Sequence, residues 1–222
     1  MSPRDSSNLK DSSVEANPPE RQWHVAQIGA RENYAVPRAL HRVERLQRFY
    51  TDAWCRWGRS ILKRGPQLVR GFANRYHSEL PNARVTSFTG AAIPNILRRH
   101  WHHGTGSRTD LGHHHVEVGR QFAMNVRDHL VDRVDPERHA FFGFSIGSYE
   151  VLDALRGDEV LTVVDQVAPG AVEQEIVAAE AERWPGWARE VPEPRPRLQE
   201  RAAAEWEAAT LVLVNSDWSR SA

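Results

Sequence analysis

Cysteine occurs once in this sequence, at Cys55. One thiol excludes an internal disulfide and fits a reducing compartment. Cys55 follows Trp54 at the end of an apolar stretch and reads as a buried thiol, not a nucleophile. Long apolar runs are lacking too: none approaches the roughly 20 residues that a membrane-spanning helix needs. The first twenty residues carry Ser, Asn, Pro and charge without an apolar core, so they are no secretory signal. Residues 1–20 are expected to form a disordered tail, and the protein to be cytoplasmic. Charge of one sign is missing as well, with 29 basic and 29 acidic residues. That balance removes any global electrostatic case for nucleic acid or an acidic membrane surface. A local basic patch stays open between Arg31 and Arg75. No internal repeat is present.

What the chain does contain is alternation. Short apolar runs at Trp23–Ile28, Phe49–Cys55, Arg84–Phe88, Ala140–Phe144, Val160–Asp165 and Thr210–Asn215 are rich in Val, Ile, Phe and Trp. Runs apolar on both faces are what a parallel sheet covered by helices requires. Between them lie helical stripes: Val36, Leu40, Val43 and Leu46; Leu68, Phe72 and Tyr76; Val118, Phe122, Val126 and Leu130. Val151, Leu152 and Leu155 follow, then Val172, Ile176 and Ala179, and last Leu198, Ala202, Trp206 and Ala209. Strand–helix repetition predicts an α/β fold with a doubly wound parallel sheet. Ligands of such sheets bind beyond the carboxyl ends of strands, which directs attention to the loops after Ile28, Phe144, Asp165 and Asn215. Residues 100–115, with six histidines and three glycines, read as an exposed loop. Val191–Pro196 reads as a stiff connector. Ser216 is a good N-cap and Asp217 suits a first turn, so a helix begins there.

Several motifs lie in those loops. Gly29 after the first strand permits a tight turn and a close approach of backbone to ligand. Gly143-Phe144-Ser145-Ile146-Gly147 matches G-x-S-x-G in a strand–turn–helix setting, the pattern of a hydrolase nucleophile. Asp165 could supply the acid of a triad. The last histidine, however, is His139, so the required base does not follow Ser145 in the chain. The plainer reading has Ser145 capping a helix that begins at Gly147. His100, His102, His103 and His113–His115 could bind zinc or nickel adventitiously, but a solvated loop is the simpler account, and no metal site is expected. Asp165-Gln166 and Asn215-Ser216 are polar pairs at strand ends, where buried polar groups often order loops.

Taken in order, these segments resemble the N-terminal domain of family 4 (group 1) glycosyltransferases. Gly29-Ala30-Arg31-Glu32-Asn33-Tyr34-Ala35-Val36-Pro37-Arg38-Ala39-Leu40 is similar to the first-loop segment of that family, and Phe49-Tyr50-Thr51-Asp52 to its second strand. Phe141-Phe142-Gly143-Phe144-Ser145 and Asp165-Gln166-Val167-Ala168-Pro169-Gly170 resemble later strand ends. Leu213-Val214-Asn215-Ser216-Asp217-Trp218-Ser219 is similar to the stretch that closes the acceptor-side domain.

The resemblance implies the GT-B architecture: residues 21–215 as a Rossmann-like acceptor-binding domain, and residues 216–222 as the start of the helix leading to a donor-binding domain absent from this chain. It implies retaining transfer of a sugar from a nucleotide-sugar co-substrate, with no bound cofactor or metal, to a glycan, lipid carrier or small molecule. Gly29 and its neighbours would lie near the donor phosphates, Glu32, Asn33 and Tyr34 would shape the acceptor side, and Arg31, Ser145, Asp165, Gln166, Asn215 and Ser216 would line the cleft, although no basic pair for the pyrophosphate can be placed. Many relatives carry a histidine where this chain has Gly143-Phe144-Ser145, so the resemblance assigns no catalytic residue. On this reading the chain alone transfers little or nothing, needing the donor domain in cis or trans. A serine hydrolase built on Ser145 and a non-catalytic binding module are the alternatives.

Overall fold

The computed structural model describes residues 20–65, 67–90, 108–167, 170–187 and 196–221. Six strands form one all-parallel sheet: β1 (Gln22–Gln27), β2 (Leu46–Thr51), β3 (Val85–Ser87), β4 (His139–Phe144), β5 (Leu161–Gln166) and β6 (Leu211–Val214). Their order across the sheet is β3-β2-β1-β4-β5-β6, so the winding reverses between β1 and β4. That is the doubly wound Rossmann-like arrangement, and all six expected strands are present. β2 begins earlier than expected, at Leu46, and ends at Thr51. Leu46 therefore belongs to a strand rather than to the preceding helical stripe, whose Val43 is 60% exposed.

The period of two along each strand sorts side chains onto two faces. Val25, Phe49, Phe142 and Val163 enter one core with Tyr34 and Leu80. Their neighbours Ala26, Tyr50, Phe141 and Val164 enter the other. Helices cover this second face. They are α4 (Arg108–Leu130), which buries Phe122, Val126 and Leu130, and α5 (Tyr149–Ala154), which buries Val151 and Leu152. The described residues also form α1 (Ala35–Arg42), α2 (Arg59–Leu62), α3 (Gln67–Ala73), α6 (Ala171–Arg183), α7 (Pro196–Ala208) and α8 (Asp217–Ser221). Among the described residues no helix is long and apolar enough to cross a membrane.

Several expectations are corrected by the backbone. The supposed loop over 100–115 is helical from Arg108 onward; residues 100–107 lie outside those described. Histidine and glycine disfavour helix by only about 1 kcal/mol each, so a helix anchored by Phe122, Val126 and Leu130 propagates back through them. Of the connector, residues 191–195 lie outside the described set, while Pro196 opens α7, where its missing N–H is no loss. Helix α6 forms as its periodicity predicts, yet it buries no residue and leaves Ile176 46% exposed. Of the expected tail, residues 1–19 are outside the described set. Cys55 is only half-buried, and its thiol donates to the Trp57 carbonyl at 3.1 Å. The Ser216 hydroxyl does accept the Ser219 N–H at 3.1 Å, as an N-cap should.

Candidate functional site

The reversal of winding places two loops side by side at the carboxyl edge of the sheet, one after β1 and one after β4. Ligands of open α/β sheets bind at this point of the topology.

The β1 loop has an unusual backbone. After Gly29, at φ 83°, three successive non-glycine residues, Glu32, Asn33 and Tyr34, have φ of 50°, 50° and 60°. A left-handed turn of L-residues costs about 1–2 kcal/mol per residue, so it persists only where its surroundings impose it. Here they do. The Gln27 amide, 1% exposed, donates to the carbonyls of Gly29 (3.3 Å) and Arg31 (2.8 Å). The Gly29 N–H donates to Asp52 Oδ1 at 2.9 Å, and Arg75 pairs with the same carboxylate at 3.4 Å. The Asn33 N–H donates to the Ala30 carbonyl at 3.2 Å, and Arg38 donates to the Asn33 carbonyl at 3.3 Å. Tyr34 closes the turn from beneath: its ring is 1% exposed and packs edge-on against Phe49 and Trp54. Burial pushes its phenol up to about 12, against the Arg75 charge beside it. Tyr34 is thus a core anchor of the loop and not a residue lining the cleft, because its apolar ring gains more from the Phe49–Trp54 cluster than from water.

The β4 loop is held from a different direction. Helix α5 begins at Tyr149 with Ser148 at its N-cap position, so Ser145 does not cap a helix starting at Gly147. The orphan N–H groups of Ile146, Ser148 and Tyr149 instead donate to the Glu205 carboxylate of α7, at 2.6, 2.8 and 3.1 Å. Glu205 is fully buried. Burial pushes its pKa up, opposed by those three N–H donors and by Arg201. Arg201, one helical turn earlier, donates through Nε to the Ile146 carbonyl at 2.7 Å and grips Glu150 with two bonds of 3.0 and 2.6 Å. The buried face of α7 consists of Arg201, Ala202, Glu205 and Ala208. The expected stripe of Leu198, Ala202, Trp206 and Ala209 shares only Ala202 with it, and Trp206 is 38% exposed. Reading the helix for apolar residues alone hides the two charged ones. A buried Arg–Glu pair at i and i+4 beside small alanines is the signal that could have found them.

The strained residue of the β4 loop is Ile146, at φ 76°; Ser145 is not among the described residues with positive φ. A G-x-S-x-G nucleophile sits on the strained position itself, and here the strain falls one residue later. Ser145 is 9% exposed, and its Oγ is buried with no hydrogen-bond partner. No base therefore contacts it among the described residues.

Between the two loops lies a pocket of about 190 Å³. Ile28, Phe144, Ile146 and Gly147 line it from the loops and strand ends, Val118 and Phe122 from α4, and Leu198 from α7. Arg31, His115 and Ser145 are its polar members. Beside it, Asp165 at the end of β5 is 9% exposed. Burial raises its pKa, the Glu32 carboxylate raises it further, and Arg31 opposes both. Of the residues predicted from sequence, the structure thus gathers Arg31, Glu32, Ser145 and Asp165. It places Gln166 just beyond them, 6% exposed and accepting the Trp206 indole N–H at 3.2 Å. Asn215 and Ser216 stand exposed at the end of β6; the Asn215 amide donates to the Val167 carbonyl at 3.3 Å and so ties β6 to β5. Gly29 is committed to Asp52, and the Asn33 backbone to Ala30 and Arg38.

No group of three or more His, Cys, Asp or Glu among the described residues is arranged to hold a metal ion. Of the histidine-rich segment, only His114 and His115 have described side chains, and His115 reaches the pocket. Compared with known proteins, the chain matches no family model, no curated protein and no solved structure.

Proposed function

We propose that this chain is the acceptor-side domain of a two-domain retaining glycosyltransferase, working with a nucleotide-sugar-binding domain supplied in cis or in trans. The observation that carries the reading is the pocket at the reversal of strand order, with Arg31 and Ser145 in its wall and the Glu32–Asp165 pair at its side. Such a site offers a recess for an acceptor, a cation near where a diphosphate would lie, and a carboxyl group with a raised pKa. The resemblance of Gly29–Leu40 and Leu213–Ser219 to family 4 glycosyltransferases supports the same reading. The displacement of strain from Ser145 to Ile146 argues against the serine-hydrolase alternative.

The test uses the protein purified from its own host through a tag at its chromosomal locus. Radiolabelled UDP-, GDP- and ADP-sugars are offered together with host extracts as acceptors. Incorporation is expected, and Asp165→Asn and Arg31→Ala should each lower it at least about tenfold, the loss of roughly 1.4 kcal/mol of transition-state binding. Labelling of Ser145 by a fluorophosphonate, with ester turnover and no sugar incorporation, overturns the proposal.

A further inference from the structure

Basic residues crowd the connection between β2 and β3. From Ala53 to Ser78 it holds Arg56, Arg59, Lys63, Arg64, Arg70 and Arg75 and no acidic residue, in a chain whose charges balance overall. The fold divides the basic stretch from Arg31 to Arg75 into two parts. Four arginines are answered by carboxylates: Arg38 and Arg42 share Glu79, each at 2.6 Å, Arg45 meets Glu20, and Arg75 meets Asp52. Arg56, Lys63, Arg64 and Arg70 are exposed, and none of them forms an ion pair among the described residues.

These four charges share one projection. Helices α2 and α3 pack chiefly on each other. The Cys55 N–H donates to the Arg75 carbonyl at 2.7 Å and closes the segment at its base, while Asp52 ties that base to the Gly29 N–H. The charges therefore stand out from the same edge of the sheet as the β1 loop.

A tryptophan stands among them. Trp54 packs into the core against Tyr34, Phe49 and Tyr76, but Trp57 is 80% exposed, with the Arg56 guanidinium 5.5 Å from its ring centroid. An indole in that position adds nothing to the core, whereas its apolar body and polar N–H suit a boundary between lipid and water. Clustered Arg and Lys side chains attract anionic headgroups, and their alkyl stems can lie along the apolar side of that boundary. A single-stranded nucleic acid would call for several stacking rings in succession, and Trp57 is the one exposed ring described on this projection. We infer that the projection docks on an anionic lipid bilayer, with Trp57 in the headgroup boundary and the four cations against lipid phosphates.

Flotation of the full chain with vesicles tests this. Vesicles of phosphatidylcholine with roughly 30% phosphatidylglycerol should carry the protein at about 0.1 M salt and release it at about 0.5 M, where screening is stronger. Vesicles of phosphatidylcholine alone should carry little. The double variant Lys63→Gln, Arg64→Gln should bind at least tenfold more weakly, at about fivefold per charge. Trp57→Ala keeps every charge and should still lose about threefold or more. Arg42→Gln removes a charge already answered by Glu79 and should stay within about twofold of the wild type. No binding to the anionic vesicles overturns the inference, as does equal binding to phosphatidylcholine alone. Tighter binding to a single-stranded oligonucleotide or to polyglutamate than to the anionic vesicles overturns it too. So does wild-type affinity in either the double variant or Trp57→Ala, with folding checked by an unchanged urea midpoint.

Discussion

Two glycines of this chain answer the same substitution with opposite signs. Gly119 of α4 packs its Cα against the β4 loop, where an added Cβ would lie 2.1 Å from the Ile146 carbonyl oxygen. Both groups are backbone, so helix and loop would have to separate, and overpacking of this kind costs about 1–3 kcal/mol or more. Gly71 of α3 has nothing within 4 Å of the same added atom, and alanine there gains about 1 kcal/mol of helix propensity. Gly119→Ala should therefore lower the free energy of unfolding in urea by at least about 2 kcal/mol, and Gly71→Ala should raise it by up to about 1 kcal/mol. Equal effects would mean that the close approach at Gly119 does not hold in solution. The sequence showed glycines at both places; only the folded neighbours distinguish them.

At the scale of elements, the β4 loop depends on α7 more than on its own residues. Replacing Glu205 with alanine leaves the N–H groups of Ile146, Ser148 and Tyr149 without their acceptor, while Arg201 keeps its bonds to Glu150 and the Ile146 carbonyl. Leaving a buried hydrogen-bonding group unsatisfied costs about 1–3 kcal/mol, so Glu205→Ala should unfold at clearly lower urea with an unchanged slope. Glu205→Gln should cost less, since its amide keeps one acceptor oxygen for the loop. If the two variants are equally stable, hydrogen bonding to the loop is not what Glu205 does. This contact also marks the limit of what could be read in advance. Six strands and most helices were legible, because strand and helix periods depend on local patterning. The pairing of residues 205 and 146 was not, because patterning along α7 favours its apolar residues and says nothing about which loop a buried carboxylate meets. The left-handed turn at Glu32–Tyr34 was equally hidden: Glu and Tyr there give no local sign of positive φ, which Gln27 and the Asp52–Arg75 pair enforce from other elements. The residues gathered around the pocket were legible only as strand-end positions. His115 is not legible as a pocket residue, because the apolar stripe that marks α4 begins only at Val118 and nothing apolar marks the turns before it.

Across the whole molecule, the edge of the sheet opposite the pocket holds a histidine cluster that should make stability sensitive to acid. His24 of β1 is 2% exposed, lies against His139 with ring centroids 5.0 Å apart, and stacks on Tyr50, which also touches His129. Burial, followed by the charges of His139, Arg48 and His129, holds the His24 pKa down at about 3. His129 and His139 are lowered too, each first by burial. The unfolded chain binds a proton at His24 near pH 6.5 and the folded chain does not. Its contribution to stability is therefore complete above pH 6.5 and is lost as pH falls toward 3. One pKa unit is worth 1.36 kcal/mol, so His24 alone accounts for up to roughly 4–5 kcal/mol across that window. Urea midpoints should fall steadily from pH 7 to pH 4.5, and His24→Phe should flatten the decline. An unaltered slope in that variant would show that other groups govern acid unfolding.

The grip of Glu205 on the β4 loop also fixes an order of events during synthesis. Ile146 leaves the ribosome 59 residues ahead of the carboxylate that secures it. Until residue 205 has emerged and α7 has docked, the loop that walls the pocket has no partner for its N–H groups, although the strands beneath it are already made. Strands β1 to β5 can assemble early, but the site, like β6, is among the last parts of the chain to take shape. A shortened protein ending before α7 would keep the sequence of its pocket loops and lose their geometry.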